Sequence, residues 1–137
     1  MQISQKLRQF TRNKALLITS SQHTSKLYIA NKGEINLIKE LKVEKPEYSD
    51  KKEDPITSPE KNIKKIMKQD FAKAFKKLMS EFKNENFDEV YLFCPQELTN
   101  ETKSLLPKKI AVKIIKIIKG NFNKKHPLEL IKELSKL

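Results

Sequence analysis

A mixed α/β fold, an α+β arrangement of five strands in one sheet with helices on its faces, is what this chain of 137 residues predicts. Three observations carry that expectation. Short apolar runs near the start are separated by turn residues, as antiparallel neighbours require. One long stretch then repeats its apolar residues every three or four positions, the period of a helix. After it, apolar runs and helical stretches alternate, the pattern of strands joined by helical crossovers.

Taken in order, residues 1–14 carry Lys6, Arg8, Arg12 and Lys14 and no acid, and read as a short arm or the edge of a first strand. The run 15–20, Ala-Leu-Leu-Ile-Thr-Ser, predicts a buried strand. After the polar break at 22–24, residues 26–30 predict a second. Asn31, Lys32 and Gly33 predict a hairpin turn, since Asn and Gly tolerate positive φ. A third strand follows over 34–38. From 44 to 59 the pattern dissolves into charges of nearly cancelling sign with Pro46, Pro55 and Pro59, which predicts an exposed, mobile loop.

Ser58, Pro59 and Glu60 then form a helix start: a capping serine, a proline at the first helical position and an acid at the positive helix end. Ile63, Ile66, Met67, Phe71, Ala74, Phe75, Leu78, Met79 and Phe82 give that helix a continuous apolar stripe. Residues 90–94 are a short apolar strand stopped by Pro95. A brief helix over about 97–106 stops at Pro107, a strand is expected over 111–119, and His126-Pro127 opens a last helix with Leu128, Ile131, Leu134 and Leu137 on one side. The order is β-β-β-α-β-α-β-α, the connectivity of ribonuclease H-like domains. The chain is expected to form one domain, 1–137, interrupted by the mobile loop at about 44–59.

The totals narrow the function. The single Cys94 has no partner for an internal disulfide, and no Cys/His cluster has zinc spacing, so neither metal nor cofactor is expected. No apolar run approaches the roughly 20 residues of a membrane span. The apolar stretch after the basic start is too short for a signal peptide, so a cytoplasmic protein is expected. The 29 Lys+Arg against 17 Asp+Glu leave a net charge of +12, which points to anionic partners such as RNA, DNA, the ribosome or anionic lipid, or else to a lysine-rich composition at large.

Location is more telling than the total. Eight lysines, at 103, 108, 109, 113, 116, 119, 124 and 125, lie in one segment with no acid, carrying +8 of the +12. Such a field attracts phosphates with salt-sensitive affinity and little sequence readout. Lys108, Lys109, Lys113, Lys119, Lys124 and Lys125 are the candidate contacts, with Asn121 and Asn123 as neutral donors. Two readings compete. Lysines also guard an edge strand against pairing, and strand alternation would send Lys113 and Lys119 to one face and Lys116 to the other. As a helix, 111–119 would instead be a membrane-surface amphipath; its β-branched isoleucines between Pro107 and Gly120 favour a strand beside 90–94.

Residues for catalysis are few. Gly33 and Gly120 are the only glycines, which excludes glycine-rich phosphate loops and nucleophile elbows. A two-metal nuclease needs acids where this chain has Thr19, Ser20 and Ser21, and where it has Cys94 and Pro95. A thiol centred on Cys94, with His23 or His126 as base, is the one enzymatic reading the residues allow; otherwise Cys94 is a small buried residue and His126 a helix cap.

Three segments carry a resemblance: Leu-Leu-Ile-Thr-Ser-Ser followed after five residues by Leu-Tyr (16–28), Val-Tyr-Leu-Phe-Cys-Pro (90–95) and Gly-Asn-Phe-Asn-Lys-Lys-His-Pro (120–127). In order and spacing the chain resembles the bacterial host attachment protein family. Its landmark positions here are Ser21, Cys94, Pro95, Asn121, His126 and Pro127. Ser21 replaces the family's early aspartate, Cys94-Pro95 its Ala-Pro, and Asn121 its late aspartate. The resemblance implies a ribonuclease H-like fold related to the middle domain of archaeal and eukaryotic peptide-release factors. The peptidyl-tRNA hydrolysis of those factors uses a Gly-Gly-Gln loop, and this chain has no two adjacent glycines.

Together these readings predict a non-catalytic basic domain that binds RNA or the ribosome. The alternatives are a protein-interaction module in host-cell attachment, working through Tyr48 and Ile56 in the 44–59 loop, and an enzyme around Cys94.

Overall fold

The structure, a computed structural model, describes residues 1–43, 59–82 and 84–135. Strands β1 (Ala15–Ser20), β2 (Thr24–Asn31) and β3 (Glu34–Lys42) form a meander, followed by helix α1 (Pro59–Ser80) and strand β4 (Glu89–Cys94). A single 3-10 turn at Gln96–Leu98 leads into the short helices α2 (Thr99–Ser104) and α3 (Lys108–Ala111). Strand β5 (Ile114–Lys119) and helix α4 (Pro127–Ser135) complete the chain. The 44–58 stretch, with Tyr48 and Ile56, lies outside the described residues, as do the side chains of Ile63 and Ile66.

The strands form one mixed sheet in the order β3-β2-β1-β4-β5. β1 pairs antiparallel with β2 and parallel with β4, β2 pairs antiparallel with β3, and β4 pairs parallel with β5. This is the mixed five-stranded sheet expected from the sequence, consistent with a ribonuclease H-like arrangement. β1 and β4 are buried at every position. Both strands are covered on two faces, which is why each reads as an unbroken apolar run rather than an alternation.

Alternation along the strands divides the core. On one face Leu17, Tyr28, Tyr91 and Phe93 pack with Leu130, Ile131 and Leu134 of α4 and with Ile3 and Phe10 of the arm. On the other, Leu16, Ile18, Leu27 and Leu92 meet Phe71, Phe75 and Met79 of α1, together with Leu106 and Ile110. Met67, Phe71, Phe75 and Met79 repeat every four residues and are all buried, so the helical stripe read from the sequence is the sheet-facing side of α1.

The basic start is an arm laid over the β2–β3 turn. Ile3 N–H donates to Gly33 O at 2.8 Å, Ile35 N–H to Met1 O at 2.9 Å and Gly33 N–H to Gln9 O at 2.8 Å. Its far end is tied by charge. Arg8 donates to the Glu89 carboxylate and to the Tyr91 hydroxyl at 2.8 Å, and Tyr91 donates in turn to Glu89 Oε2 at 3.1 Å. Glu89 is buried, so these donors and Asn13 Nδ2 at 3.2 Å replace the water it loses.

Three local expectations change. The residues with positive φ in the hairpin are Lys32 (52°) and Gly33 (78°), while Asn31 ends β2 opposite Glu34; a two-residue loop puts both left-handed positions after Asn31. The helix expected over 97–106 is split, because its first turn tightens to 3-10 geometry. The last strand begins at Ile114 rather than at 111: Ile110 and Ala111 N–H both donate to Pro107 O, winding 108–111 into a helical turn. β5 then bulges. Val90 faces Ile114 but Tyr91 faces Lys116, leaving Ile115 as the extra residue, 56% exposed.

Candidate nucleic-acid interface

β5 is an edge of the sheet, and the acid-free segment surrounds that edge. Lys103 lies in α2, Lys108 and Lys109 in α3, Lys113 between α3 and β5, Lys116 and Lys119 in β5, and Lys124 and Lys125 in the loop before α4. All eight are exposed, and none is ion-paired with an acid among the described residues. Leu106 and Ile110, beside α2 and in α3, pack into the α1-side core, and Phe122 and Leu128, which flank Lys124 and Lys125, into the α4-side core, so the charge flanks β5 on both faces of the sheet. Lys113 stands outside the strand, so the alternation expected for it does not apply, whereas Lys116 and Lys119 do straddle the sheet, opposite Tyr91 and Cys94 respectively.

Asn121 follows the end of β5 and is exposed, and its Oδ1 accepts the Asn123 N–H at 3.4 Å. Asn123 is buried, which sets it apart from the other candidates: its Oδ1 accepts a hydrogen bond from Thr19 Oγ1 at 3.0 Å, tying the loop to β1. The close approach depends on Gly120. Its φ of +143° lies where side chains are strained, and a Cβ there would come within 2.8 Å of the Phe122 ring, which packs edge-on against Phe93 at 5.3 Å.

Ser21, Cys94-Pro95 and Asn121 lie at the carboxyl ends of β1, β4 and β5, three mutually parallel strands. The end of the sheet where α/β sites collect is thus where these landmarks converge. Chemistry there is muted. Cys94 is fully buried, its Sγ lies 3.5 Å from Thr99 Oγ1, and burial pushes the thiol up, the Thr99 hydroxyl pulling the other way. His126 caps α4: its Nδ1 accepts the Leu128 N–H at 3.2 Å, which places a neutral ring's proton on Nε2.

One feature of this end was not anticipated. A pocket of about 380 Å³ opens between the β1–β2 turn, α1 and α2. Phe71 and Ala72 from α1 face Leu98 and Leu105, while Ser21, His23, Thr102 and Ser104 add polar edges. Lys68 and Glu101, both lining it and both more than half exposed, pair at 2.9 Å at its mouth. His23 Nδ1 and, beside the turn, Ser20 Oγ are buried with no hydrogen-bond partner. The one trace of this in the sequence was the polar break at 22–24.

With that geometry in view, the comparison with solved structures is informative. The chain superposes on an archaeal translation termination factor, aRF1, with a TM-score of 0.54 at 13% identity, covering 90% of this chain and 38% of that one. On Pelota of Archaeoglobus fulgidus the values are 0.55 and 9%, covering 92% and 31%. On a third structure, an archaeal protein, the values are 0.52 and 13%, covering 88% and 36%. What they share is a fold. The chain spans about a third of the length of these structures, so the likeness is to one portion of each. In sequence, the chain matches no protein-family model and no curated protein. Among the described residues no helix is long and apolar enough to cross a membrane.

Proposed function

We propose that this chain is a non-catalytic, basic, release-factor-like domain that binds RNA or the ribosome in the cytoplasm, through the lysines that surround β5. The observation that carries the reading is the placement of those lysines. Guarding an edge strand needs only Lys116 and Lys119, which stand on the strand itself. Lys103, Lys108, Lys109, Lys124 and Lys125 lie off it, in α2, α3 and the following loop, and extend the field beyond what edge protection requires. Exposed and unpaired, they are free to displace counterions from phosphates. Asn121 stays beside them as a neutral donor.

The fold supports the same reading, since the similar structures include a translation termination factor. The resemblance to the host attachment family belongs to this proposal too, with Ser21, Cys94, Pro95, Asn121, His126 and Pro127 as its landmarks. The buried thiol of Cys94, with its raised pKa, favours a packing role over nucleophilic chemistry.

Co-sedimentation with ribosomes at low and moderate salt is the test. The wild-type protein is expected to pellet at low salt and to lose affinity steeply as salt rises. The quadruple variant Lys108→Gln/Lys109→Gln/Lys124→Gln/Lys125→Gln should bind more weakly, with a salt slope lower by about 1 for each phosphate contact removed. A charge-matched control, Lys39→Gln on β3 with Lys73→Gln/Lys76→Gln/Lys77→Gln on the exposed side of α1, should bind nearly as the wild type. Equal losses in the two variants would mean that total charge, not the β5 edge, governs binding. A wild-type protein left in the supernatant at both salts, and purified free of RNA, would overturn the proposal.

A further inference from the structure

We infer that the pocket between the β1–β2 turn, α1 and α2 receives a single unstacked nucleobase of the RNA held by the lysine edge, an inference that rests on the reading of this chain as an RNA- or ribosome-binding domain. At about 380 Å³ the pocket lies in the range of sites that enclose small ligands, roughly 300–1,000 Å³. Its walls are apolar and include the Phe71 ring. Its edges carry groups that both donate and accept, the hydroxyls of Ser21 and Thr102 and the imidazole of His23.

Its charges cancel. Lys68 and Glu101 neutralise each other at the mouth, so nothing inside favours an anion or a cation. A neutral, flat ligand with mixed donors and acceptors on its rim meets those conditions, and a base pulled out of a stack is such a ligand. An unmet need points the same way. A buried His23 Nδ1 without a partner carries an uncompensated desolvation cost, which a hydrogen bond from a base edge would remove.

Continuity with the lysine edge supplies the link to RNA. α2 provides Thr102 and Ser104 to the pocket and Lys103 to the basic segment, so one short helix borders both. Phosphates would stay outside with the lysines while a base enters.

The probes are adenosine, guanosine, cytidine and uridine, which lack phosphate and so make no demand on the lysines. Each is titrated into the full chain while the backbone amide resonances of residues 21–23 and 98–105 are followed. At least one nucleoside is expected to shift them saturably, with an affinity that raised salt leaves unchanged. Ala72→Phe and, from the opposite wall, Ser104→Phe should abolish the shifts in proteins whose remaining spectrum is intact. His23→Ala should weaken binding roughly two- to tenfold, the worth of one hydrogen bond. The quadruple lysine variant should bind nucleosides as the wild type does.

No shift with any nucleoside overturns the inference, and where ribosome binding persists it leaves the lysine edge standing. Benzyl alcohol shifting these resonances as strongly as the best nucleoside also overturns it, because the pocket then reads no base edge. Nucleoside binding by a protein that holds neither ribosomes nor RNA overturns it too, since the base would have no strand to come from.

Discussion

At Lys32 the backbone turns through a φ of 52°, a conformation that glycine, asparagine and aspartate adopt more readily than lysine. The turn needs it, because a two-residue loop between antiparallel strands matches their twist only with both residues left-handed. Lys32→Asn is therefore expected to raise stability, by up to about 1 kcal/mol. Gly120 should respond in the other direction. Gly120→Ala puts a methyl group against the Phe122 ring at a φ of +143°, and should cost about 1–3 kcal/mol before any repacking of Phe122. Urea unfolding of the two variants beside the wild type measures both signs. The same scale shows what the sequence could not disclose. Lysines keep their charge wherever they stand, so the basic segment was legible at once. Asn123 looked like one more surface donor, and only the fold reveals that its carbonyl accepts from Thr19, on a strand 104 positions away.

Among the elements, α1 is the clearest case of pattern becoming structure. Phe75 sits at the centre of its buried stripe with no exposed surface, stacked on Phe71 at 5.6 Å. Phe75→Ala should cost about 3–5 kcal/mol, whereas Lys76→Ala, one position round the helix and exposed, should stay within about 0.5 kcal/mol; thermal unfolding separates the two. Strands β1 and β4 were equally legible, because burial on both faces leaves an unbroken apolar run. The start of β5 was not. Ile110, Ala111 and Val112 are as apolar as the strand they precede, and what separates them is Pro107, whose carbonyl accepts from the amides of a helical turn. The pocket was least legible of all. Its walls come from 21–23, 68–72 and 98–105, three stretches that no spacing rule connects and that only the packing of α1 and α2 on the sheet brings together.

At the scale of the whole molecule, burial of titratable groups gives stability a sign with pH. Cys94, Tyr28 and Tyr91 all have pKa values raised chiefly by burial, with Glu40 acting further on Tyr28 and Arg8 opposing the rise at Tyr91. Each keeps its proton in the folded chain at a pH where the unfolded chain has released it. Their contribution is whole below the unfolded values, about 8.5 for the thiol and 10 for the phenols, and falls as pH climbs past them. Stability should accordingly decline from about pH 8.5 upward, and the difference between wild type and Cys94→Ala should shrink over the same range. Urea midpoints measured at steps of pH check this, and a constant difference would show that the thiol does not contribute.

The position of β1 has a different consequence, in time rather than in space. Its antiparallel partner follows almost immediately, Ala15 meeting Ala30, but its parallel partner is distant, Ala15 meeting Glu89. At synthesis rates of roughly 5–20 residues per second, β4 leaves the ribosome some 4 to 15 s after β1. For that interval the growing chain has a completed meander whose most apolar strand offers a row of unused amides and carbonyls on one side. The edge that β5 presents in the finished protein is lined with lysines, but the transient edge of β1 is Ala-Leu-Leu-Ile-Thr-Ser and carries no charge to repel a second chain. The strand best protected in the mature molecule is thus the one most open to mispairing while the molecule is being made, and it is there that a chaperone would have to act.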